Sequence, residues 1–508
     1  MNFNSVYKER SGECKYFPAL KGNIETDVLI IGGGITGLLN AYLLNEAGIS
    51  TVLVEAMHIG DGTTGMSSCH LTTDIDTEYR NVYADFGEEI SALVAQSRVE
   101  GINLLERIVN KHSIQCDFKR VPGYLYTDIP EHVPMIEQEF RYAGYAGLNI
   151  NIVNQVPLPI KTNKAIVFNN QAQFNSQKFL NGLASLLDGT NCKIFENSRI
   201  ISLEEHEGYY TGNTEAGSVK AKKVIMATHL PLFTNVLQTM AAPYISYVIT
   251  VRLNDDNYPD GLFWDTNDPY HYIRTYRDEL GPLLVVGGAD HKAGHITETE
   301  EQFVKLENYV RKHFNVSAIV HKWSAEYFEP ADGLPYIGRS PFSENIYVAT
   351  GFSGDGLVYG PIAAIILSDL IQGKKNDWLK AYDSTRFTPV ASAFDFIKEN
   401  VDVAKQFIAD RLTGDEGSIE TLAPGEGKII RVNGERMAVA KDHNHEIHAV
   451  SPVCTHMKCI VHYNKAEQSW DCPCHGSRFA IDGKVLYGPA VKALEKKEIK
   501  MEVNNRKD

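Results

Sequence analysis

Residues 26–37 read Thr-Asp-Val-Leu-Ile-Ile-Gly-Gly-Gly-Ile-Thr-Gly. The run Thr26–Ile31 is strand-like, glycines 32–34 interrupt it, and Leu38–Glu46 continues with helical spacing. Thr51–Glu55 is strand-like again, so the segment is a βαβ unit. Gly32-x-Gly34-x-x-Gly37, with Glu55 closing the second strand, fits a dinucleotide-binding fingerprint. The glycines permit a tight turn and bring backbone N–H groups close to a pyrophosphate, while the Glu55 carboxylate suits ribose hydroxyls. The fingerprint alone does not separate NAD from FAD.

A chain of 508 residues exceeds one ordinary compact domain, so two or three domains are expected. With 43% apolar and 22% charged residues it has the composition of a globular protein. A net charge of −15 argues against a nucleic-acid partner and against an anionic membrane surface. Met1–Arg10 is polar and mixed in charge, which points to a cytoplasmic protein. Val28–Leu44 is apolar but short and carries the glycine motif, so it reads as strand and helix and no membrane span is expected.

Helix-like stretches (Glu89–Lys111, Gln177–Leu187, Glu298–His313) alternate with β-rich runs (Tyr244–Leu253, Leu283–Gly287, Ile346–Ala349). The runs between 244 and 290 suggest an antiparallel sheet inserted into the nucleotide fold. Residues 376–415 read as a polar helical connector, after which glycine-punctuated short strands form a small all-β module over 416–508. Cys14, Cys69, Cys116 and Cys192 are scattered, whereas Cys454, Cys459, Cys472 and Cys474 fall together.

That cluster contains Cys454-x-His456 and Cys472-x-x-His475. Two thiolates and two imidazoles suit a [2Fe–2S] centre with one iron held by sulfur and the other by nitrogen. They also suit zinc, but zinc modules pair cysteine with cysteine and histidine with histidine, whereas each pair here supplies one of each. The two blocks resemble the cluster-binding loops of Rieske proteins. The resemblance implies Cys454 and Cys472 on one iron, His456 and His475 on the other, and a loop-bridging disulfide between Cys459 and Cys474. It also implies a Ser477 hydroxyl on a cluster sulfur and a covering proline loop at Gly488-Pro489-Ala490. Phe479 stands where many high-potential members carry a tyrosine.

Distant segments decide the cofactor of the first domain. Gly351-Phe-Ser-Gly354-Asp355-Gly356-Leu357 precedes a helix at Gly360–Leu370, and Pro330-Ala-Asp332-Gly333-Leu-Pro-Tyr-Ile-Gly338 lies just before it. With Gln171–Phe174 and Ala227-Thr228-His229, these resemble the FAD-dependent D-amino-acid and glycine oxidase family over residues 24–375. The resemblance implies a Rossmann-like FAD fold of the two-dinucleotide-binding-domain type with an inserted antiparallel substrate domain. Its FAD-binding parts fall at about 24–85, 150–230 and 330–375, and its substrate parts at about 86–149 and 231–329. Gly32, Gly34, Gly37, Glu55, Thr63, Thr64, Gly351, Gly354, Asp355, Gly356 and Leu357 are the FAD-binding residues carried over. Cys69 and His70 are the side chains a covalent flavin link would use; a loop that only packs near the ring is the other reading.

In that family an amine or amino acid gives a hydride from its α-carbon to flavin N5, and the resulting imine hydrolyses. Tyr272 and Arg274 lie on one face of a strand and are the candidate catalytic pair, Arg274 for a substrate carboxylate. A two-electron flavin joined to a one-electron cluster implies a dehydrogenase passing electrons singly to an outside acceptor. A reductase or hydroxylase with the cluster feeding the flavin is the alternative, and a redox-sensing protein is the alternative of another class.

Overall fold

The structure, a computed structural model, describes residues 5–386 and 419–499 apart from 234, 297, 342 and 433. Gly22–Ile31 pairs in parallel with Thr51–Val54 on one side and Gly217–Met226 on the other. Cys192–Phe195 and Ile346–Thr350 extend the sheet outward, Tyr336–Arg339 closes one edge, and a hairpin of Ser202–His206 and Tyr209–Asn213 is added to Gly217–Met226. Val28–Ile31 and Thr51–Val54 are buried throughout, as strands covered on both faces must be. The helices Ile35–Glu46 and Gly356–Ile371 pack together because Gly360 has no side chain; a Cβ there would meet Ile35 at 2.8 Å.

A nine-stranded sheet forms the second layer system, running from Val316–Pro330 through Ala241–Leu253, Leu283–Lys292, His271–Tyr276, Leu262–Asp265, Lys119–Thr127 and Lys164–Gln173 to His70–Leu71, with Ile150–Val153 also on Lys164–Gln173. Its pairs are antiparallel except Leu262–Asp265 beside Lys119–Thr127. This corrects the division expected from sequence. His70–Leu71, Ile150–Val153 and Lys164–Gln173 fall within 24–85 and 150–230, yet all pair in the second sheet. Conversely, most of the helix Tyr79–His112 falls within 86–149 but lies on the nucleotide side, where a Cβ on Gly101 would come within 3.0 Å of Val358 O. Periodicity identifies a strand or helix but does not say which sheet it joins.

The C-terminal module holds two antiparallel sheets, Gly427–Val432, Glu435–Lys441 and Ile447–Val450, and then His462–Asn464, Ser469–Asp471, Arg478–Ala480 and Val485–Tyr487. Of the connector expected over 376–415, a short helix Leu379–Tyr382 is present, and 387–418 lies outside the described residues. Among the described residues no helix is long and apolar enough to cross a membrane.

The motif at 330–338 is held by a buried ion pair. Arg386 Nε and Nη2 donate to the two oxygens of Asp332 at 2.8 and 2.6 Å, and Nη1 donates to Pro335 O at 2.7 Å. Removing the cation leaves Asp332 buried without its charge partner, so Arg386→Ala is expected to destabilise the flavin-side unit by about 3 kcal/mol, read from denaturant unfolding.

Candidate active site and metal centre

Cys454 and Cys472 are buried and unbridged, and Cys459 is disulfide-bonded to Cys474 with Cα atoms 6.6 Å apart. The disulfide ties two tight loops, each closed by its own backbone: Cys454 N donates to Cys459 O at 2.8 Å and Cys472 N to Ser477 O at 2.8 Å. A hydrogen bond with Cys472 draws the Cys454 thiol down to about 7 against the opposing effect of burial. The rings of His456 and His475 stand 5.1 Å apart, and the Nδ1 atom of each is buried with no hydrogen-bond partner. Buried polar nitrogens left unpaired are costly. Two such nitrogens beside two free thiols are the donor set a Rieske [2Fe–2S] cluster requires, and the residues fit it.

The tautomer of His456 is set from the other domain. Gln238 sits in the short helix Val236–Thr239 and spends its Nε2 on Pro231 O at 2.8 Å and on Phe233 O. Its Oε1 therefore faces His456 Nε2, at 3.0 Å. An amide oxygen only accepts, so His456 Nε2 carries the hydrogen and Nδ1 keeps its lone pair for metal. Ser477 Oγ accepts from Ala490 N at 3.0 Å, which leaves its hydrogen directed to the cluster side and fastens Gly488–Ala490 over the loops.

A cavity of about 620 Å³ runs between the two sheets. Gly32, Gly34, Glu55, Thr63, Thr64, Gly354, Asp355, Gly356 and Leu357 line it, so the early and late glycine turns reach one space. Gly32 (φ +111°) lies so near Ala227 that a Cβ would meet its carbonyl oxygen at 2.4 Å. Thr64 Oγ1 accepts from Ile35 N at 3.2 Å at the N-terminus of Ile35–Glu46. Glu55 accepts from Gly33 N at 2.6 Å and Met57 N at 2.8 Å, and burial raises its carboxyl. A space lined by the N-terminus of the helix Ile35–Glu46 and by the buried Glu55 carboxylate fits FAD. Gly37 and Gly351 do not line it. They act behind it: a Cβ on Gly37 would strike Gly32 O at 2.0 Å, and Gly351 (φ +72°) turns the chain against Pro330.

Tyr272 lines the cavity and its hydroxyl pairs with Ser246 Oγ at 3.1 Å. Arg274 does not line it, which corrects its expected role on a substrate carboxylate. Its Nη1 donates to Cys69 O at 2.8 Å and its Nη2 to Phe174 O at 3.3 Å, and it lies under the Tyr7 ring, 1% exposed. The two residues share a face of the strand, but at Arg274 that face is covered by the segments of Cys69 and Phe174. Cys69 is likewise turned away, 3.3 Å from Ser176 Oγ, while His70 borders the cavity as a neutral imidazole, pushed down to about 3 by burial and by Arg274.

Several contributors belong to none of the motifs read from the sequence. Arg98, fully buried, holds Asp355 at 2.9 Å and so gives the carboxylate of the late turn a charge partner. Asp76 accepts from Gly354 N at 2.8 Å, Asp74 accepts from Trp264 Nε1 at 2.6 Å, and Arg199 borders the Glu55 end. The spacing Asp74-x-Asp76 soon after the Thr63-Thr64 loop was the available cue.

The C-terminal module closes the cavity. Leu486, Tyr487, Gly488 and Val491 line it, Arg199 Nη2 donates to Val485 O at 3.0 Å, and Tyr487 donates to Asp61 O at 3.3 Å. The cluster loop rests on the strand Val316–Pro330, whose residues 325–329 form a cavity wall; a Cβ on Gly476 would lie 2.6 Å from Glu326 Oε1 and 2.9 Å from Phe328 Cζ. Arg478 bridges Asp471 and Glu467 at 3.0 and 2.7 Å, and Glu467 also accepts from Ser324 of that strand.

With a serine at 472 the chain is expected to lose its iron and its Rieske EPR signal while keeping a flavin absorption band, because the two donor sets share no residue. Iron analysis and the visible spectrum of Cys472→Ser check this.

The model of the FAD dependent oxidoreductase family (DAO) matches residues 27–370, and that of the Rieske [2Fe-2S] domain matches residues 415–498. The Rieske 2Fe-2S iron-sulfur protein YhfW of Bacillus subtilis is 31% identical over 96% of this chain and 97% of its own. Gamma-glutamylputrescine oxidoreductase of Escherichia coli is 24% identical over 73% of this chain and 89% of its own. The glycine oxidase structure from Geobacillus kaustophilus superposes with a TM-score of 0.61 at 17% identity, covering 72% of this chain and 99% of that one.

Proposed function

The chain belongs to the FAD dependent oxidoreductase family and carries a Rieske [2Fe-2S] domain, and we propose that it is an amine or amino-acid dehydrogenase whose electrons leave singly, through the cluster, to an external acceptor. The observation that carries this reading is the seat of the cluster loop at Gly476 directly on the wall of the flavin cavity. When bound, FAD supplies a two-electron acceptor for the substrate C–H bond and the cluster supplies a one-electron relay. Per turnover an amine R₂CH–NH₂ becomes an imine R₂C=NH, two equivalents of the external acceptor are each reduced by one electron, and two protons are released. Water then converts the imine to a carbonyl compound and ammonia.

The chain's own residues bind, orient and exclude. Glu55 and the Ile35 end of the helix hold the dinucleotide portion. Trp264, Tyr270, Tyr272 and Tyr327 border the opposite half and keep water from the reacting carbon. His70 and His229, both neutral at physiological pH, the latter pushed down to about 4 by burial, put no positive charge beside an incoming amine. The relationship to gamma-glutamylputrescine oxidoreductase supports an amine-bearing substrate. Gln238 and the Arg478–Glu467–Ser324 bridge keep the cluster loop at the wall.

Anaerobic reduction of the holoenzyme by an amine or amino-acid substrate is expected to bleach the flavin and raise the EPR signal of a reduced Rieske cluster. Bleaching with no cluster signal sinks the route. Gly476→Ala, which pushes the loop off Phe328, is expected to slow cluster reduction while substrate bleaches the flavin at the unchanged rate, as followed by stopped flow and freeze-quench EPR.

A further inference from the structure

Between residues 490 and 491 the chain passes from one hydrophobic core to another. Ala490 is buried in the core of the Rieske module that holds Cys454, Cys472 and Phe479, whereas Val491 packs against the core that holds Ile31, Val54, Ile200 and Leu232. Gly488 approaches that second core as well, since a Cβ on it would lie 3.1 Å from Leu232 Cδ2. The segment 485–491 therefore belongs to both modules.

Its hydrogen bonds run the same two ways. Ala490 N donates to Ser477 Oγ at 3.0 Å, beside the cluster loops. Val485 O accepts from Arg199 Nη2 at 3.0 Å, and the Tyr487 hydroxyl donates to Asp61 O at 3.3 Å, two residues before Thr63. Side chains alternate along the strand Val485–Tyr487: Val485 packs on the Rieske core, and Leu486, next to it, borders the cavity.

The part of the cavity that this segment borders is set by Arg199, which lines it and is the charged neighbour of Glu55. In a dinucleotide fold the pyrophosphate lies at the helix N-terminus, and the carboxylate closing the second strand takes the ribose next to the adenine. Space beside Glu55 and Arg199 is accordingly that of the adenosine. Its apolar lining, Ile200 and Leu232 from the first module with Leu486 and Val491 from the second, suits a purine ring.

We propose that the Rieske module supplies part of the FAD site: Leu486 contacts the adenosine portion of the cofactor, and the segment around it holds that portion in place. A cofactor bound by both modules links them, because whatever FAD gains from the seated segment, the seating of the module gains from FAD. The inference concerns the cofactor alone and is the same whichever substrate is oxidised.

Full-length holoenzyme with Leu486→Asp is compared with the unsubstituted protein by stepwise dilution, following the fluorescence of released FAD. Iron content and the EPR spectrum of the dithionite-reduced cluster are read on the same samples. A carboxylate on this wall is expected to weaken FAD retention at least about tenfold, with iron and cluster spectrum unchanged. Leu486→Met, apolar and of similar volume, is expected to retain FAD to within about twofold of the unsubstituted protein. Should the aspartate variant lose its iron, Leu486→Ala takes its place, with a loss of at least about threefold expected. Unchanged FAD retention in a variant with an intact cluster overturns the proposal, and so does a loss in Leu486→Met equal to that in Leu486→Asp.

Discussion

At Gly476 the iron–sulfur loop, with no side chain of its own, meets the Glu326 and Phe328 side chains of the strand that walls the flavin cavity. Single-electron transfer through protein weakens steeply with distance, so a redox module attached by a long connector is useful only if something fixes its approach. A positive φ of 70° and the absence of a Cβ let the backbone after His475 lie against Phe328 and Glu326. The surrounding contacts serve that approach. Glu467 reaches Ser324 on the same strand, His462 Nδ1 meets Gly294 O at 2.6 Å, and Ala466 N donates to Thr299 Oγ1 at 2.9 Å. The Rieske domain is thus seated by several polar contacts spread around the close approach of Gly476 to Glu326 and Phe328.

Much of this was legible in the sequence because it is local. Gly32, Gly34 and Gly37 are fixed by what one turn demands, and Cys454, His456, Cys472 and His475 by ligand order within two short blocks. The late turn at 351–357 was readable for the same reason. Arg98, the partner of its Asp355, lies in the middle of a helix more than 250 residues earlier, and no local pattern connects the two. Gln238 is equally silent in sequence: it becomes a partner of His456 only when the short helix Val236–Thr239 is carried to the cluster by the fold.

Arg274 shows the opposite failure. Alternation along a strand puts it on the same face as Tyr272, but a shared face is not a shared environment. Tyr272 ends in the cavity over Gly287, where any side chain would collide with its ring, whereas two residues on the face is covered by the Cys69 segment and the arginine is absorbed by backbone carbonyls. The difference matters for chemistry because Arg274 is spent on backbone carbonyls and does not reach the cavity. Asp74 and Asp76, which do line it, lie on a segment that has no regular secondary structure and therefore offers no periodicity to read.

Because Leu486, Tyr487, Gly488 and Val491 belong to the second module yet border the first module's cavity, the cavity is complete only when both are folded and seated. The module at 419–499 supplies part of the wall around a space whose other lining, Gly32, Gly34 and Glu55 among it, lies several hundred residues earlier in the sequence. Access to that space from the side of the C-terminal sheets is consequently set by how the second module seats, and a change at Leu486 or Tyr487 alters the lining without touching any residue of 27–370.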